Sequence, residues 1–190
     1  MAGLDLSAGV KAHSLKDRLN DVYETPPEAT AGLLGAENLP GVIWEPCCGP
    51  GAIVRLLRAS GRMVYATDLV DYQSPDQDES GWDFLMECQL PIGTEAIVMN
   101  PPFKNAGEFV EKAIDLCPKV YMLGRLAFLE SDRRSAILDG GMLARVHVFR
   151  KRLPMMHRKG WDGPKAGSSM AFAWFVWDRN HAGPATIDRI

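Results

Sequence analysis

At 190 residues, with 46% hydrophobic and 24% charged side chains, the chain has the size and make-up of one globular domain with its own core. No run approaches the roughly 18 apolar residues of a membrane span and the first residues lack a secretory leader pattern, so the expected compartment is the cytoplasm, with no membrane partner. A formal net charge of −3 argues against indiscriminate coating of nucleic acid, and neither the four cysteines nor the four histidines show metal-ligand spacing, so no metal is expected.

Taken in chain order, residues 1–20 mix small, polar and charged types and predict an arm outside the main domain, which runs over residues 21–190. In Thr25-Pro26-Pro27-Glu28, Thr25 has the character of an N-cap, Pro26 suits the first helical position and Glu28 completes a capping box. A helix to about residue 38 should follow. Val42-Ile43-Trp44 predicts a short strand, residues 52–60 a helix, and Met63-Val64-Tyr65-Ala66-Thr67 a second strand. A weak strand is expected near residues 82–85. Ala96-Ile97-Val98-Met99 is a fully apolar strand, followed by a helix over 107–116. Val120-Tyr121-Met122-Leu123 predicts another strand, residues 131–138 a helix, and the runs 145–149 and 170–177 the last two strands.

Strands alternating with helices predict an α/β fold with a mostly parallel sheet covered by helices on both faces. Only the polar loop 151–169 separates the final two strands, which therefore predict an antiparallel C-terminal hairpin. Cys47, Cys48, Cys88 and Cys117 read as small apolar-like residues of a reducing compartment, and Trp174 and Trp177 as core.

Two segments carry chemistry. Glu45-Pro46-Cys47-Cys48-Gly49-Pro50-Gly51 follows the first strand directly and precedes a helix. Glycines there allow a sharp turn and close approach to a ligand, and the helix start offers N–H groups and a positive dipole end. An acid at Glu45 would repel a phosphate and suits the ammonium of an amino acid. Asp68, at the end of the next strand, is placed to accept hydrogen bonds from a ribose diol. No Gly-x-x-x-x-Gly-Lys phosphate loop is present. An amino acid plus a ribose without a pyrophosphate describes S-adenosylmethionine better than a dinucleotide.

The second segment, Asn100-Pro101-Pro102-Phe103, lies at the carboxyl end of a central strand, where open α/β sheets place ligands. The two prolines stiffen the exit from the sheet. An exocyclic amino nitrogen is a poor nucleophile because its lone pair is delocalised. Acceptors aimed at its two N–H bonds, the Asn100 amide oxygen and the Pro101 carbonyl, would draw it toward tetrahedral geometry and free that pair. Phe103 offers a flat apolar face on which a flipped base can stack. Positioning and electrostatics suffice for such a reaction, with no metal and no strong general base.

On these residues the chain resembles the amino-methyltransferase branch of the class I S-adenosylmethionine-dependent methyltransferases, chiefly small phage-type DNA adenine methyltransferases. The resemblance spans roughly residues 21 to 177 and implies a Rossmann-like fold. It makes Glu45, Pro46, Cys47, Gly49 and Gly51 the cofactor turn and Asp68 with Leu69 the ribose-binding edge. Tyr23, Thr25 and Pro26 become a segment closing over the cofactor, and Asp83-Phe84 the pair at its adenine ring. Asn100, Pro101, Pro102 and Phe103 become the catalytic motif, with Asn100 also at the cofactor. Arg125-Leu126-Ala127-Phe128-Leu129-Glu130 resembles the segment after the fifth strand in phage-type members. Related Asn-Pro-Pro-aromatic motifs occur in RNA methyltransferases and in enzymes modifying glutamine side chains, so these substrates stay open beside DNA adenine, as does a cofactor-binding relic without turnover.

DNA members carry a sizeable target-recognition domain, and no segment here is expected to encode one. The substitute is the loop between the last two strands. From Arg145 to Lys165 there are seven Lys and Arg residues against one acid, Asp162. Within it Arg150, Lys151, Arg152, His157, Arg158, Lys159 and Trp161 are the expected nucleic-acid contacts, cations for phosphates and an aromatic for stacking. The partner expected is nucleic acid, chiefly DNA, bound by a monomer or homodimer.

Overall fold

The structure is a computed structural model and describes residues 24–154 and 169–190. The expected N-terminal arm, Tyr23, and the part of the basic loop with His157, Arg158, Lys159 and Trp161 lie outside the described residues. In chain order the elements are α1 (Pro27–Ala36), β1 (Val42–Glu45), α2 (Ala52–Ala59), β2 (Met63–Asp68), β3 (Glu79–Ser80), β4 (Ala96–Met99), α3 (Ala106–Leu116), β5 (Lys119–Arg125), α4 (Ser135–Leu138), β6 (Leu143–Val148), β7 (Phe172–Asp178) and β8 (Thr186–Arg189), with 3-10 turns at Phe84–Met86, Leu126–Leu129 and Asp132–Arg134.

Among the described residues, one sheet holds eight strands in the order β3-β2-β1-β4-β5-β7-β6-β8. Every neighbouring pair is parallel except those made by β7, which runs antiparallel to both β5 and β6. The expected hairpin of β6 and β7 is therefore present, but it does not end the sheet. Strand β7 inserts between β5 and β6, and β8 forms the far edge, parallel to β6.

Helices cover both faces because the strands are apolar on both sides. Strand side chains alternate with period two, and the core divides accordingly. Ile43, Val98, Tyr121, Leu123, Trp174 and Val176 pack with Ala29 and Leu33 of α1 and Leu57 of α2. Their strand neighbours Trp44, Ile97, Met99, Val120, Met122, Phe175 and Trp177 pack on the opposite side with Val110 and Ile114 of α3 and Ile137 of α4. Trp174 and Trp177 thus lie in opposite layers, both buried as expected. Each donates its indole N–H to a helix carbonyl, Trp174 to Ala29 (2.8 Å) and Trp177 to Ile137 (2.7 Å), so neither buried donor is wasted.

Glu37, just past α1, ties that helix to β6. Its buried carboxylate takes hydrogen bonds from Arg145 and from His147 Nε2. Burial pushes the carboxyl up, but the hydrogen bonds from His147 and Arg145 outweigh it and leave the group below its ordinary value.

Several local expectations are corrected. Helix α1 begins at Pro27 with Pro26 as its N-cap and no side-chain capping bond, so the Thr25–Glu28 capping box does not form. Residues 82–85 form no strand: the Asp83 side chain accepts the Leu85 N–H (3.1 Å) and starts a 3-10 turn instead. The helix expected over 131–138 is a 3-10 turn followed by only the four residues of α4. Cys48 and Cys117 are buried, whereas Cys47 is half-buried and Cys88 exposed. Among the described residues no helix is long and apolar enough to cross a membrane.

Candidate active site

Strands β1, β2 and β4 are mutually parallel and adjacent. Their carboxyl ends therefore deliver Glu45, Asp68 and Asn100 to the same edge of the sheet, around a cavity of about 430 Å³. Its wall includes the predicted residues Thr25, Glu45, Pro46, Cys47, Gly49, Asp68, Leu69, Asp83, Phe84, Asn100, Pro101, Pro102 and Phe103. Pro26 and Gly51 are not on the wall.

Gly51 shapes the turn instead. It sits at φ +88° as the N-cap of α2, in the left-handed region that glycine adopts freely. A Cβ there would stand 2.3 Å from that of Asp76, whose carboxylate is held by Arg55 at 2.9 Å. Gly49 is also left-handed, and its N–H donates to Asp68 Oδ2 at 2.9 Å while the Val70 N–H donates to Oδ1 at 3.0 Å. These bonds fix the carboxylate and leave each oxygen a further lone pair for a ribose hydroxyl.

Glu45 is 1% exposed, and its Oε2 has no hydrogen-bond partner among the described residues. Burial first, and the nearby Asp68 second, push its carboxyl well above the ordinary value of 4.5. A hydrogen bond from the Val54 backbone, in the first turn of α2, works in the opposite direction. An orphaned buried carboxylate beside a second acid is a receptor for a cation. Burial, Glu45 and Asp68 push the Cys47 thiol well above its ordinary value, which disfavours its thiolate form. Tyr72 on the same wall is pushed up to about 12 by burial and Asp68, which keeps its hydroxyl neutral.

Asn100 is anchored on one side and open on the other. Its Nδ2 donates to Thr25 Oγ1 at 2.9 Å, and its Oδ1 is buried with no partner among the described residues. The Thr25 hydroxyl, expected to cap a helix, instead orients an amide 75 residues away. The Pro102 carbonyl accepts the Asn105 N–H at 3.0 Å, which turns the chain into α3. Phe103 packs 5.8 Å from Phe172, and the Arg125 guanidinium covers one face of its ring, 4.2 Å from the centroid.

At the far end Phe84 is 2% exposed, packed 5.2 Å from both Trp44 and Phe109. Val70, Tyr72, Leu85 and Phe109 also line the wall and went unnoticed in the sequence. Val70 and Leu85 carried a signal, standing close to the predicted Asp68 and Phe84; Tyr72 and Phe109 arrive through loop and helix packing. Arg150, Lys151 and Arg152 are exposed just after β6. Because β6 is parallel to β4 through β7 and β5, they stand on the same edge as Asn100. Among the described residues no group of three or more His, Cys, Asp or Glu side chains could hold a metal.

No protein-family model matches the chain, and no curated protein matches its sequence. Solved structures match its fold. A Pyrococcus horikoshii protein assigned as an RNA methyltransferase is 15% identical with a TM-score of 0.60, over 82% of this chain and 85% of that one. A dimethyladenosine transferase from Plasmodium falciparum is 13% identical with a TM-score of 0.57, over 83% of this chain and 63% of that one. The magnesium protoporphyrin IX methyltransferase of Synechocystis PCC 6803, solved with bound S-adenosylmethionine, is 13% identical with a TM-score of 0.51, over 80% and 77%. At such identities the likeness is one of fold: the chain has the Rossmann-like class I methyltransferase fold.

Proposed function

We propose that this protein is an S-adenosylmethionine-dependent methyltransferase acting on the exocyclic amino group of a nucleic-acid base, with adenine in DNA as the favoured target. The observation that carries the reading is Asn100: its amide is held by Thr25 while its buried Oδ1 is left without a partner on the wall of a cavity that also holds the orphaned Glu45. When bound, S-adenosylmethionine supplies an electrophilic methyl group on a sulfonium. Glu45 would take its ammonium, Asp68 its ribose hydroxyls, and Leu69, Asp83 and Phe84 would surround its adenine. The structures with the same fold include an RNA methyltransferase assignment, a dimethyladenosine transferase and an enzyme holding S-adenosylmethionine, which supports this assignment.

Asn100 Oδ1 and the Pro101 carbonyl each accept one N–H of the target amine. Such acceptors withdraw the nitrogen lone pair from conjugation without removing a proton beforehand. Thr25 holds the amide so that its oxygen, not its NH₂, faces the amine. Phe103 bounds the target side of the motif. Arg150, Lys151 and Arg152 offer charge to a phosphate backbone on that same edge.

The test is labelled methyl transfer to DNA, RNA and protein in parallel, with the modified atom identified by mass spectrometry. Transfer to N6 of adenine in DNA is expected. Asn100→Ala should abolish transfer while cofactor affinity stays within a few-fold, and normal turnover in that variant would sink the mechanism.

A further inference from the structure

We propose that Arg125 binds a backbone phosphodiester of the nucleic-acid strand beside the target base, making it the anion-binding residue of the catalytic edge. This rests on the reading of the protein as a nucleic-acid methyltransferase and assigns a residue to its substrate. Arg125 is the last residue of β5, the strand next to β4, whose end leads into Asn100. The two strands align Met99 with Met122, so Arg125 stands about three residues, roughly 10 Å of strand, further toward the catalytic edge. Across β7 it is opposite Phe172, which also touches Phe103.

Its electrostatic situation is unusual for a residue at a strand end. Arg125 is only partly exposed, its Nε is buried without a hydrogen-bond partner, and it forms no ion pair among the described residues. Two other arginines on this edge do have acceptors: Arg134 donates to the Phe128 and Glu130 carbonyls, and Arg150 to that of Arg189. A half-buried cation with an unpaired donor is costly unless something compensates it. The Phe103 ring, 4.2 Å away, compensates part of that cost and holds the guanidinium against the catalytic motif.

A planar fork of donors matches the paired oxygens of a phosphate. With Arg150, Lys151 and Arg152 exposed on the same edge, the complementary ligand is a polyanion and not a single side chain. Contact at Arg125 would seat one phosphate beside Phe103, while the other cations follow the strand. DNA and RNA share this chemistry.

The experiment measures binding of a short fluorescein-labelled oligodeoxyadenylate, and separately its ribose counterpart, across a salt series. Wild type, Arg125→Gln and Arg125→Lys are compared, with S-adenosylmethionine affinity and a thermal melt as controls on folding and on the cofactor site. Arg125→Gln should weaken binding about tenfold, as loss of a charge-assisted hydrogen bond does. It should also lower the slope of log affinity against log salt by about 0.7, the share of one single-strand phosphate contact. Arg125→Lys, which keeps the charge, should keep the slope. A purely structural arginine would weaken binding without changing the slope. The strand on which the Arg125-dependent slope appears identifies the source of the phosphate. An unchanged slope in Arg125→Gln, an equal fall in Arg125→Lys, or wild-type protein that binds neither strand overturns the assignment. The methyltransferase reading itself stands or falls separately, on cofactor binding and on Asn100→Ala.

Discussion

Thr25→Val isolates the bond that turns Asn100 into a directed acceptor. Thr25 is 6% exposed, and valine keeps its shape while deleting the hydroxyl that accepts the Asn100 Nδ2 proton at 2.9 Å. An amide donor left unpaired in a part-buried site costs about 1–3 kcal/mol. Taking the middle of that range, about 2 kcal/mol, and about 2–4 °C per kcal/mol for a domain of this size, Tm should fall by roughly 4–8 °C. The same loss applied to the transition state corresponds to a fall of about 30-fold in kcat, at about 1.4 kcal/mol per factor of ten. Thr25→Ser keeps the hydroxyl and should recover most of the rate. The assays are a thermal melt and single-turnover methyl transfer at saturating cofactor. If Thr25→Val matches wild type in both, the amide is not oriented by Thr25.

Glu45 predicts a pH dependence. With its carboxyl raised above 4.5 by burial and Asp68, the folded empty protein holds a proton that the unfolded chain has already lost. Stability therefore falls as pH rises from 4.5 toward the raised value, while affinity for a ligand carrying an ammonium rises over that window. Calorimetry of S-adenosylmethionine binding in buffers of different ionisation enthalpy should show a proton released, and Glu45→Gln should remove it; equal proton counts would count against the pairing. Gly51→Ala forces a side chain into φ +88° and against Asp76, and should cost about 2 kcal/mol or more in urea unfolding. An unchanged midpoint would dismiss the steric argument.

The frame of the sheet was legible because buried parallel strands are continuous apolar runs: residues 42–44, 63–67, 96–99 and 120–123 all fall inside observed strands. The three strand-end residues Glu45, Asp68 and Asn100 were legible for the same reason, since a strand followed by a turn has only one place to put its last side chain. What escaped notice lacks a local signature. Strand β8 is four exposed residues recruited by β6, and β3 is two residues paired with the end of β2. Thr25 satisfies every local rule for a helix cap, yet its oxygen serves an amide 75 positions away. Glu37 likewise gave no sign of its partners Arg145 and His147, over a hundred positions distant. Tertiary hydrogen bonds outcompete local ones where the partner is buried and has no other option.

That competition also explains why the cavity asks for two chemically different groups. Glu45 Oε2 and Asn100 Oδ1 are both buried acceptors without partners, each costing about 1–3 kcal/mol as it stands. They are set at the ends of adjacent strands, so they face one ligand space rather than two. Their electrostatics differ. Glu45 is a carboxyl pressed against a second acid, relieved in the empty protein by a proton and, once ionised, by a cation. Asn100 is a neutral amide already donating through its nitrogen, and it is relieved by a neutral N–H without acquiring the proton. A pyrophosphate would leave the first unsatisfied and be repelled by it. A ligand with only an ammonium would leave the second. A pair of ligands that brings an ammonium to Glu45 and an amine N–H to Asn100 would satisfy both acceptors, which line one cavity.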